Sequence, residues 1–163
     1  MTEPQTLTLA VERAREYARW YLRFLKDADP IKEFELGGVK LNTQYWLVAH
    51  MTVSQNWLLL RSTGGPFEKF SWAKHFNIGS TPPPPELCPP YAEVWAMFKN
   101  IHEKAMAHVA ALTDEQLAQP HTAMLKLGGT DSVRDVILHH VRHEAMHTGH
   151  LGWLCKLQGI KTV

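Results

Sequence analysis

The segment from Ser132 to Gly159 leaves this chain the fewest ways to fold. Ser132-Val-Arg-Asp135 is a helix-capping signature with an acidic residue in the first turn. Gly159 stands where a C-cap glycine belongs. Between these signals, residues 132–158 read as one long helix. Wound at 100° per residue, it gathers Val136, Ile137, Leu151 and Leu154 on one side. A helix of that length with one apolar face needs other helices to cover it.

Three more segments answer that need. Residues 7–28 carry Leu7, Val11, Ala14, Ala18, Tyr21 and Leu25 at helical spacing and stop at Asp29-Pro30. Residues 41–61 carry Trp46, Leu47, His50, Val53, Ser54, Trp57 and Leu58, an apolar stripe with a histidine at its centre. Residues 91–111 carry Tyr91, Val94, Trp95, Phe98, Ile101, Ala105 and Val109, with Pro90 suited to the first turn. Thr113-Asp-Glu-Gln116 is a capping box for a short segment ending before Pro120, and residues 121–131 form a loop with Gly128-Gly129. Residues 62–90 hold Gly64-Gly65-Pro66, the run Pro82–Pro85 and Pro89-Pro90, with Phe67, Phe70, Trp72 and Phe76 available to pack the segment down. No strand-like alternation and no internal repeat is visible. The reading is an all-α, four-helix bundle spanning 1–163 as a single domain, with a long crossover loop between helices 2 and 3.

Composition excludes several roles. A formal net charge of +1 gives no nucleic-acid footprint. No apolar run approaches a membrane span, and the N-terminal stretch lacks the basic and apolar regions of a signal peptide. Cys88 and Cys155 form no CxxC and read as packing residues in a reducing, cytoplasmic setting.

Histidine is the anomaly. The chain has 10, and six of them lie between His121 and His150. On the last helix His147 falls near the middle of the apolar face, with His140 and His143 on either side and His139 and His150 toward the flank. His143 and His147 are one turn apart, so two imidazoles can converge on one ion. His50, mid-stripe on the second helix, is in a position to meet them across the core, as in bundles that build metal sites from facing helices. A lone buried histidine is more often a satisfied core residue, but burying several neutral imidazoles without partners is costly, and a shared ion removes that cost. His140 and His150 are read as supporting or pocket residues. His143-Glu144-Ala145-Met146-His147 also matches HExxH, in which Glu144 would be a general base. The extended forms of that motif require Gly and His where this chain has His150 and Trp153.

The mid-helix His50, the Pro/Gly crossover and the closing run HHVRHEAMHTGHLGWLCKLQGIK together resemble the DinB-like, YfiT-like metal-binding four-helix bundles over nearly the whole chain. The resemblance implies a divalent transition metal (zinc, nickel or iron) held by His50, His143 and His147. This chain has His150 where the family often has glutamine. The resemblance also implies a homodimer, and in some relatives a transferase in which the metal holds a low-molecular-weight thiol. Three functions stay open: a metal-dependent thiol S-transferase, a metal-dependent hydrolase with Glu144 as its weakly placed base, and a non-enzymatic metal-binding or stress-associated interaction protein whose ion staples the bundle.

Overall fold

The computed structural model describes residues 1–80, 83–127 and 129–162. Pro82 of the proline run and Gly128 of the glycine pair lie outside them.

Helix α1 covers Glu3–Phe24. It starts earlier than its apolar stripe because Thr2 and Gln5 form a reciprocal capping box with Pro4 in the first turn. A small antiparallel hairpin follows, β1 (Glu35–Leu36) with β2 (Val39–Lys40). This hairpin corrects the strand-free expectation. Two-residue strands are too short to show alternation, and their turn depends on Gly37 and Gly38, both at positive φ. Helix α2 runs from Gln44 to Gln55 behind the Thr43 cap. It then widens into a π-turn over Asn56–Leu60 and tightens into a 3-10 turn over Arg61–Thr63. Helices α3 (Tyr91–Ala110), α4 (Asp114–Leu117) and α5 (Val133–Leu157) complete the chain. Pro90 stands at the N-cap of α3, one residue ahead of its first turn. Ser132 caps α5 and is answered by Asp135.

The apolar core divides into two clusters, and their membership gives the helix directions. One joins Leu22, Tyr45, Val94 and Leu154. The other joins Leu7, Leu59, Val109 and Val136. The C-terminal halves of α1 and α5 therefore meet the N-terminal halves of α2 and α3. Each helix packs on two neighbours, in the ring order α1, α3, α2, α5. Helices α2 and α3 are adjacent and parallel, so their connection has to travel back along the bundle. That is the physical reason for the long crossover. Trp72 and Phe76, on a 3-10 segment (Ser71–Phe76), anchor it in the core. No helix among the described residues is long and apolar enough to cross a membrane.

Between the two apolar clusters lies a layer of buried polar side chains. Arg15, Gln55, His140 and Glu144 are all fully enclosed.

Candidate metal centre

His50 projects from the middle of α2, and His143 and His147 from successive turns of α5. The structure brings all three together. Nε2 of His143 lies 3.1 Å from Nε2 of His50 and 3.1 Å from Nε2 of His147. Each residue offers one nitrogen, these nitrogens lie within 4.8 Å of one another, and the three form a group that could hold a metal ion.

The outer nitrogens of His50 and His147 bear on which lone pairs face inward. Nδ1–H of His50 donates to the Phe76 carbonyl at 2.7 Å, which leaves Nε2 as a bare acceptor. Nδ1 of His147 is 3.3 Å from Nδ1 of His150. With the His147 proton donated there, its Nε2 is bare as well. The buried Nδ1 of His143 has no hydrogen-bond partner among the described residues. Trp46 stacks on the His50 ring at 4.6 Å and 11°, fixing its plane.

These observations permit a test of fit. Two atoms held about 2.1 Å from one ion are about 3.0 Å apart at a right angle and about 3.4 Å apart at the tetrahedral angle. The observed 3.1 Å separations lie in that interval. One proton on His143 Nε2 can point along one of the two gaps, whereas a cation serves both. Burial, followed by the neighbouring histidine charges, pushes His143 down to about 3 and His147 to about 2, and burial also lowers His50. All three are neutral at pH 7, the form a metal requires.

The cluster opens on a cavity of about 690 Å³. His50 and His143 form part of its wall, with Ser54, Trp57 and His139 beside them and Phe67 and Phe70 of the crossover opposite. The Ser54 hydroxyl is 3.4 Å from His50 Nε2. The crossover is tied to the site twice. Phe76 holds His50, and Asn56 in the π-turn exchanges hydrogen bonds with the Glu68 backbone, accepting at 3.1 Å and donating at 2.8 Å.

The remaining sequence candidates sit elsewhere. Glu144 is fully buried and paired with Arg15, its Oε1 2.6 Å from Nε and its Oε2 3.2 Å from Nη2. Burial pulls Arg15 down and pushes Glu144 up, and their mutual attraction opposes both shifts. The Arg15 guanidinium also lies 3.8 Å over the Phe98 ring. His140 is fully buried in this second cluster and does not line the cavity, and it lies 3.9 Å from Glu144. His150 is exposed behind His147.

Sequence reasoning passed over four members of the second cluster. The Gln55 amide donates to His102 Nδ1 at 3.1 Å and toward His140 Nε2 at 3.4 Å, and His102 Nε2–H donates to Glu12 at 2.9 Å. Arg15 is the fourth. One signal was available: Arg15 is spaced four after Val11 and His102 four after Phe98, so both lie on buried stripes.

The family model described as the DinB superfamily matches residues 10–151. No curated protein and no solved structure matches the chain.

Proposed function

The chain belongs to the DinB superfamily, and from that membership and the three converging imidazoles we propose a divalent-metal enzyme with His50, His143 and His147 as ligands. Its activity is read as S-transfer with a low-molecular-weight thiol. The observation that carries this reading is the meeting of three Nε2 atoms beside an open cavity whose wall includes His50 and His143. A metal that stapled a closed bundle would have no use for such a space. Zinc, nickel and iron all accept imidazole donors.

Bound there, the ion would supply charge that deprotonates a thiol at neutral pH. The protein's own groups do the rest. Phe76 and Trp46 hold His50 in the right tautomer and plane, and His150 backs His147. Ser54 has a hydroxyl beside His50 that can donate to an anionic sulfur. Trp57, Phe67 and Phe70 keep water from the second substrate. The hydrolase reading is weaker because its candidate base, Glu144, is committed to Arg15.

Two measurements test this reading. Elemental analysis of purified protein should find one equivalent of metal, lost in His50→Ala, His143→Ala and His147→Ala. Metal-loaded protein given a small thiol and an electrophile should turn over, and His147→Ala should not. Equal turnover in both would reject the transferase. We also infer a homodimer through α1 and α5, where Tyr17 and Trp153 are 53% and 61% exposed. Sedimentation of wild type and Trp153→Ala tests that.

A further inference from the structure

Beside the histidines, the cavity has a second chemical character. Its lining includes Arg61, Lys69 and Lys74, and its one carboxylate is Glu68. Glu68 is already engaged by Lys104, which does not line the cavity. Neither Lys69 nor Lys74 has a carboxylate partner among the described residues, and the Arg61 guanidinium rests 5.3 Å over the Phe67 ring with none either. Apart from Glu68, no group in the lining carries a negative charge to offset the three cations. Most of the remaining wall is apolar, with Val53, Trp57, Phe67, Phe70 and Leu125 its main apolar members. A space of about 690 Å³ is within the range that encloses a small molecule.

Resting on the metal-site reading above, we propose that this cavity selects an amphipathic anion, a small molecule with an apolar or aromatic body and one acidic group. The body lies against Trp57 and Phe70. The acidic group faces Lys69 and Lys74, which the crossover carries over the cavity. The charges of opposite sign that would cancel this preference are absent from the lining, apart from the Glu68 carboxylate that Lys104 holds. A neutral molecule of the same shape gains only the apolar wall. Low-dielectric walls also concentrate the field of the cations on whatever enters.

The test uses two fluorescent probes with the same rings, 8-anilinonaphthalene-1-sulfonate and uncharged N-phenyl-1-naphthylamine. Each is titrated into the full chain, zinc-loaded and metal-free, as wild type and as the Lys69→Gln/Lys74→Gln double variant. An exposed lysine pairing is worth up to about fivefold in affinity. The double variant should therefore weaken the sulfonate by about threefold to tenfold and leave the neutral probe unchanged. Raising salt on wild type should reproduce that selective loss without any substitution, so the test survives a variant that folds poorly. Equal effects on the two probes, or no effect on the sulfonate, would overturn the proposal. Zinc content, measured in parallel, reports separately on the histidines. If the lysine effect persists in protein that binds no metal, the ligand-charge inference stands and the metal reading falls.

Discussion

Two groups of histidines share the interior of this bundle, and they are built on opposite principles. In one, His102 and His140 meet donors and acceptors that alternate: Glu12 accepts, Gln55 donates, and Arg15 and Glu144 close a buried ion pair alongside. In the other, acceptors face one another, and His50 and His147 both turn bare nitrogens on His143. The first group is largely buried and its charges are paired, with Nδ1 of His140 and Oε1 of Gln55 lacking a hydrogen-bond partner among the described residues. The second would be completed by a cation and opens on a cavity. The kind of residue is the same, so the pattern of lone pairs and protons, rather than histidine content, separates a structural cluster from a binding one.

That contrast is breakable. Arg15→Ala should have the largest effect, because it strands a buried carboxylate; removing one partner of such a pair costs about 3–5 kcal/mol. Urea unfolding measures it, and a loss under 1 kcal/mol would mean the first cluster is not the paired unit described. The double change Arg15→Met/Glu144→Leu should recover much of that loss. Next, metal should stabilise wild type, by about 2.7 kcal/mol at a hundredfold excess over Kd, and should not stabilise His147→Ala. Thermal melts with and without zinc decide it; equal shifts would place the ion elsewhere.

A smaller effect concerns pH. Burial, aided by the Arg15 charge, holds His102 down to about 4, below the ordinary 6.5. The unfolded chain then binds the extra proton first, so stability falls as pH drops from about 6.5 toward 4, by at most about 1.4 kcal/mol per unit for this group. His102→Gln should flatten that slope, and an unchanged slope would assign it to other groups. The smallest expected change is Ser54→Ala. Its hydroxyl is only 3.4 Å from His50 and half-buried, so stability should move by less than about 0.5 kcal/mol and metal content should hold. Loss of metal in this variant would make Ser54 part of the site.

The helices were legible because caps and stripes are local. Ser132 with Asp135, and Thr113 with Gln116, need no knowledge of the fold. The His143–His147 pair was legible for the same reason, since one turn of helix fixes its spacing. Arg15 was not, because its partner Glu144 lies 129 residues away, and a charge on an apolar stripe looks like an interruption until that partner arrives. Gln55 was hidden similarly, as its contacts come from α3 and α5. The crossover's length could be read from its prolines and glycines. Its path could not, because only the parallel packing of α2 and α3 requires it to run back along the bundle.

That parallel arrangement has a consequence for how the protein is made. Helices α1, α2 and α3 emerge first, yet α1 finds its most extensive contact with α5, more than a hundred residues later. Closing so long a loop is slow in entropy terms, and contacts of this separation retard folding. His50 is synthesised early and waits on an unfinished bundle, exposed to whatever else binds imidazole. The three nitrogens can meet only when α5 packs against α2, so the centre cannot form before those two helices are together.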